Sequence, residues 1–411
     1  MFVNKNNVYL NRFSQFFICT LPFLLLFYRG IADTTLILIV LVFLLKSFKE
    51  GNWSWVKEQW FIFAIIFWLY LILINAPLSI NPEKSLFYAI AFIRWPIFAI
   101  ALSYWIFNNQ KNRKIFLVSF SIAFGFIIFD TWWQYLVGFD LFGYPWWSPK
   151  RLTGPFRDNP IPGIWISRLI FLFILLSLIH KPFNNNLKTT LLYIVILFTG
   201  LLTVFLTGER MAFIIIFGGS ILILIGIFIE YQSTRLYLFL ISMFGLISFL
   251  IFGSFHPETT QRTFFSAIEK IQHLSTSDYG IVFKSAYDVW LESPILGVGI
   301  HQYRQACIDL GLWGSGPGVC WHPHNISLEL LSETGIIGFL LFYTMIISIL
   351  IKIMKSFGQS KNWILLSLLL TFLLVCFFPF TSGISIFNNG FATIIWLMMG
   401  WLFVCIKMKV K

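Results

Sequence analysis

Apolar runs close to the length of a bilayer crossing recur along almost the whole chain, and this feature constrains the fold more than any other. A crossing helix needs about 20 predominantly apolar residues. Hydropathy places such runs at 13–29, 31–47, 60–78, 86–107, 115–138, 161–180, 188–207, 210–229, 236–254, 326–351, 362–380 and 389–406. Lipid offers the backbone no hydrogen-bond partners, so runs of this kind must be helical. The expectation is an all-α polytopic membrane protein of about twelve transmembrane helices. It divides into helices one to nine over 1–254, one large loop over 255–325 and helices ten to twelve over 326–411. Composition agrees: 58% of the 411 residues are hydrophobic and 11% are charged, against roughly a quarter charged in a soluble domain. No small-residue cleavage site follows the first run, so that run is expected to stay as a spanning helix.

Basic residues orient the chain. With both ends cytoplasmic, the inner segments carry 17 of the 29 Lys and Arg residues, in keeping with the positive-inside rule. The net charge of +12 therefore calls for no nucleic-acid partner. The two sides differ in kind. Fourteen of the inner 17 are Lys, whereas eight of the outer 12 are Arg: Arg29, Arg94, Arg151, Arg157, Arg168, Arg210, Arg262 and Arg304. A guanidinium forks onto two phosphate oxygens where an ammonium cannot. The outer arginines thus suit a phosphate-bearing substrate, or else structural ion pairs.

Two outer loops gather these groups. The first, 139–160, holds Trp146, Trp147, Arg151, Arg157 and Asp158 among Pro and Gly residues that preclude a regular helix. Its tryptophans fit an interfacial belt or a sugar-stacking surface. Arg151 and Arg157 fit phosphate contact or pairing with Asp158. The second loop, 255–325, contains an amphipathic segment at Gly280–Glu292, a breaker-rich turn at Ser293–Gly299, then Tyr303, Arg304 and Cys307, a glycine-rich stretch, and Cys320. Loops of this length are usually functional. Cys307 and Cys320 are read as a disulfide, against two free thiols; a bridge would hold Arg304 near His322 and His324.

Trp321-His322-Pro323-His324-Asn325 then leads directly into an apolar run. Histidine takes up a proton near neutral pH without prior tuning. His324 is thus a candidate base, with a helix-start structural role as the alternative. Asn325 or Ser327 can cap the helix. Glu329 and Glu333 share one helix face and can orient a histidine or arginine, or complement the helix dipole. No zinc spacing is present. Arg94 and Asp130 are charges within spans, and a pair between them would account for both.

The segment Trp290–Gly299, then Tyr303-Arg304-Gln305-Ala306-Cys307, then His322–Asn325 with Glu329, Glu333, Gly335 and Gly338, resembles the O-antigen ligase and polymerase superfamily. Thr207-Gly208-Glu209-Arg210 is similar to that family's arginine motif at an outer helix start. The resemblance implies a GT-C-type membrane glycosyltransferase that uses an undecaprenyl-pyrophosphate-linked glycan as donor. Its acceptor is a lipid A–core sugar for a ligase, or another glycan for a polymerase. Neither metal nor nucleotide sugar takes part, so no cofactor is expected. The site would face the periplasm from the bacterial inner membrane, in contact with membrane lipid. His324 takes the family's catalytic position and Arg210 the pyrophosphate-binding one. Arg304 would assist, with His322, Asn325, Glu329, Arg151 and Arg157 around the substrate. Many members carry Gly-Arg where this chain has Ser277-Asp278-Tyr279-Gly280. A second phosphate ligand must then come from Arg262, Lys284 or Arg304. A transporter of lipid-linked sugars is the reading from another class; it calls for inverted repeats, which the chain does not display.

Overall fold

The computed structural model describes residues 5–147, 151–180, 187–316, 318–380 and 384–408. Nine helices among them are long and apolar enough to cross a membrane, and three shorter apolar helices occupy Gln59–Asn75, Thr190–Leu206 and Trp363–Phe377. All of these fall on the apolar runs read from the sequence. The run at 86–107 is a bent helix pair, Pro82–Phe92 and Arg94–Tyr104, within a span of Pro82–Asn108. The first two spans separate at Tyr28, not at Gly30, which lies inside the Arg29–Glu50 helix.

One pairing differs from expectation. Arg94 reaches Asp33 at 3.3 Å and donates to Asn389 Oδ1 at 2.9 Å. Asp130 is buried elsewhere, accepting from the Leu141 amide at 2.8 Å. Sequence position alone could not tell Arg94 whether the helix packing would bring it the buried Asp130 or the half-buried Asp33.

The Ile326–Ser360 helix has 35 residues. At 1.5 Å per residue it is on the order of 50 Å long, well beyond the ~30 Å hydrocarbon core. It breaks at Gly335, where φ is 63° and ψ −175°. That region of backbone space is in practice reserved for glycine. A Cβ there would also lie 2.3 Å from the Ile295 carbonyl oxygen.

The break frees helical amides and carbonyls, and the turn at Ser293–Gly299 satisfies them. Ile336 N donates to Pro294 O at 2.9 Å, and Val298 N and Gly299 N donate to Ser332 O and Glu333 O at 2.9 Å each. From a distant helix, Tyr70 Oη donates to Thr334 O at 2.7 Å. Asn75 Nδ2 donates to Leu296 O and Glu333 O, and its Oδ1 accepts from Ile300 N at 3.1 Å. Irregular backbone near a membrane survives only when protein supplies such partners. Asn75→Ala removes three bonds and leaves the buried Ile300 amide unpaired. It should destabilise the protein by about 1–3 kcal/mol, read as a fall in the unfolding temperature of the purified protein. An unchanged value would mean that the junction is held by apolar packing alone.

Candidate active site

The broken helix fixes one wall of the site. Asn325 caps its start, its Oδ1 accepting from Ser327 N at 2.9 Å and Leu328 N at 3.2 Å. Ile326 N donates to Pro379 O at 2.7 Å. Upstream, Cys307 and Cys320 form a disulfide with Cα atoms 5.5 Å apart. Both cysteines sit in a small apolar core with Val282, Ala286 and Val289 of the Asp278–Glu292 helix. Tyr303 Oη donates to Val319 O at 2.8 Å. The chain therefore enters the histidine segment from a fixed point.

The two histidines are not equivalent. His322 is buried, with Nδ1 3.9 Å from Glu329 Oε2. Burial pushes its pKa down to about 3, so the approach to Glu329 is that of a neutral ring. Glu329 itself accepts from Ser385 Oγ and, at 3.4 Å, from Ile386 N. Glu333 accepts from the amides of His301 at 2.9 Å and Tyr303 at 3.2 Å. Both carboxylates thus tie loops to the broken helix.

His324 is only partly buried and has φ of 53°, in the left-handed region. Its ring lies edge-on to Tyr279, centroids 6.2 Å apart. Burial lowers its pKa from the ordinary 6.5, so the free base prevails at neutral pH. Its Nδ1 is buried and has no hydrogen-bond partner among the described residues.

His324 opens onto a cavity of about 760 Å³, whose wall also includes Arg151, Arg210, Arg262, Glu209 and Tyr279. The three guanidiniums arrive on three separate pieces of chain. Arg210 begins the Arg210–Glu230 helix and donates from Nε to Arg262 O at 2.7 Å and from Nη2 to Ser266 Oγ at 2.6 Å. Arg262 returns the contact, Nε to Gly208 O at 3.0 Å. Arg151 donates to Pro160 O at 3.1 Å and lies over the Trp147 ring. Glu209 caps the Pro162–His180 helix, accepting from Gly163 N at 2.7 Å and Ile164 N at 3.2 Å. Its pKa is pushed up to about 7 by burial, against the pull of Arg151 and these amides. Burial lowers the pKa of Arg151 and Arg262, and the mutual repulsion of the arginines adds to this at both. Clustered, partly desolvated cations of this kind are poised for a dianionic ligand.

Of the residues singled out from the sequence, His324, Arg210 and Arg151 meet in this cavity. Arg304 is exposed and lies over the Trp313 ring, 5.6 Å from its centroid, outside the cavity lining. Arg157 is also exposed and does not line the cavity. His322, Asn325 and Glu329 are buried and do not line the cavity. Among the three substitutes for the missing arginine, Arg262 alone reaches the cavity, since Lys284 pairs with Asp288 at 2.6 Å. Glu209 and Tyr279 enter the cavity unforeseen. Glu209 had a legible signal, an acid beside Arg210 at a break between two apolar runs. Tyr279 stands in the very stretch where the arginine is missing.

Residues 195–343 match the family model described as O-antigen ligase. The match bears out the resemblance read from the motifs and supports a membrane enzyme of the O-antigen ligase and polymerase superfamily. Arg210, Arg262, Tyr279 and His324 lie inside the matched stretch, whereas Arg151 precedes it. No curated protein matches the chain.

Proposed function

We propose that this chain, taken as an O-antigen ligase-type enzyme, transfers a glycan from an undecaprenyl-pyrophosphate carrier to a hydroxyl of a lipid A–core acceptor. The reaction takes place at the periplasmic face of the bacterial inner membrane. One observation carries the reading: three arginines and a neutral histidine, whose Nδ1 has no hydrogen-bond partner among the described residues, line one cavity. Arg210, Arg262 and Arg151 hold the pyrophosphate and take up the negative charge that grows on it as the anomeric C–O bond breaks. His324 accepts the proton of the acceptor hydroxyl as its oxygen bonds to the anomeric carbon. Attack from the face opposite the leaving group inverts that carbon. The pyrophosphate departs as the carrier-bound anion, and the proton remains on the imidazole until it passes to water. Tyr279 lies edge-on to the His324 ring, with centroids 6.2 Å apart.

The lipopolysaccharide of a deletion strain tests this. Loss of all glycan-capped lipid A–core, with lipid-linked polymer accumulating, is the expected pattern. Caps shortened to one repeat unit would instead assign the chain as a polymerase that joins glycan to glycan.

A further inference from the structure

Beside the arginine cavity lies a second hollow of about 510 Å³, lined by Trp313, Gly314, Gly316, Gly318, Val319 and Trp321. The two hollows share Gly318 and Trp321, so they adjoin. Their chemistry differs: no charged side chain lines the second. Trp313 is 49% exposed and Trp321 69% exposed, so both rings are open to a ligand. The exposed Arg304 guanidinium lies over the Trp313 ring, 5.6 Å from its centroid. Gly314, Gly316 and Gly318 line the hollow beside Val319 and present backbone there, which suits close approach by a flat ligand. The Cys307–Cys320 bridge spans the stretch that carries Trp313 and ends one residue before Trp321. The hollow is therefore tied to the same fixed point as His324.

We propose that this hollow is a saccharide subsite that takes a neutral pyranose ring by stacking its C–H face on Trp313 or Trp321. The proposal rests on the glycan-transfer reading of the adjoining cavity. A tryptophan offers a large rigid face and a polar N–H edge, which suits a ligand with one apolar face and a rim of hydroxyls. A phosphate would find no cation among the described residues that line the hollow. The ring belongs either to the acceptor or to the donor glycan beyond its first sugar.

The test uses the purified full chain in a detergent without a sugar headgroup, with methyl β-D-glucopyranoside and methyl β-D-galactopyranoside as probes. Saturation-transfer NMR reads contact with the ring C–H protons. Two variants attack the hollow in opposite ways. Trp313→Ala removes a stacking face. Gly314→Leu fills the floor, and a Cβ there meets no atom within 4 Å, so the fold is left alone. Saturation transfer is expected to fall about three- to tenfold in both, the range for loss of one aromatic contact. It should persist in His324→Asn. Absence of transfer to the parent protein, or equal transfer in parent and both variants, overturns the subsite and leaves the glycan-transfer reading standing. Conversely, undiminished glycan transfer by His324→Asn would overturn that reading whether or not the glycosides bind. In the transfer assay, a higher KM of Trp313→Ala for the acceptor places the acceptor ring in the hollow. A higher KM for the donor places the donor glycan there, and two unchanged values reject both.

Discussion

His324→Ala is expected to lower glycan transfer by about 10²–10⁴-fold, the usual worth of a positioned general base, while the protein remains folded and inserted. The side chain opens onto the cavity and its Nδ1 bonds to no described residue, so its loss unpairs nothing in the core. The backbone at 324 is left-handed, which costs a residue with a Cβ roughly 1–2 kcal/mol. His324→Asn is the cleaner variant, because asparagine tolerates that conformation and supplies no base. Equal rates for parent and Asn variant, in a purified assay with lipid-linked donor at neutral pH, would remove His324 from the mechanism. The pH profile adds a second readout. The neutral imidazole is the active form, and burial holds its pKa below 6.5. Activity should therefore persist as pH falls through 6.5 and be lost only as pH drops through the lowered value. An acid limb centred above 6.5 would contradict this.

Arg210→Lys keeps the charge and should still lower kcat/KM for the donor by about 10²-fold, comparable to removing one donor from an oxyanion site. Arg210 uses Nε and Nη2 to clamp Arg262 O and Ser266 Oγ at the same time. A lysine ammonium cannot span both and still face the cavity. Losing the clamp removes two of the contacts on the segment that carries Arg262, leaving its bond to Gly208 O. Ser266→Ala, which removes one bond and no charge, should show a smaller loss in the same direction. Full activity and unchanged donor affinity in Arg210→Lys would make Arg210 an interfacial anchor. A normal Ser266→Ala with an impaired Lys variant would place the effect in direct phosphate contact instead.

The lining of the site was only partly legible in the chain. His324 and Arg210 stand at starts of apolar runs, and a titratable or forked group at such a boundary is conspicuous because the surrounding composition forbids charge. Arg151 was visible for the same reason, as a cation in a short outer loop. Arg304 and Arg157 had the same signal and lie elsewhere, since charge pattern reports which side of a membrane a residue occupies and not which way its loop folds. Arg262 was one of three equivalent choices until its π-helical turn at Gln261–Phe265 met Gly208. The Arg94–Asp130 pair failed similarly: both charges were correctly seen as costly, but the partner of Arg94 is Asp33 on a neighbouring helix.

By itself, the sequence determined that the chain is helical and membrane-embedded, where its apolar segments lie, and which family its motifs resemble. Those properties are local or cumulative: each follows from the cost of exposing apolar side chains to water, or backbone groups to lipid, summed along a segment. The tertiary structure alone decided that the Ile326–Ser360 helix breaks at Gly335. It also decided that the Ser293–Gly299 turn fills the break, and that Arg151, Arg210, Arg262 and His324 share a cavity. These depend on hydrogen bonds and contacts between residues up to 264 positions apart. Their geometry is set by how the helices pack against one another, and periodicity along a single segment carries no record of it.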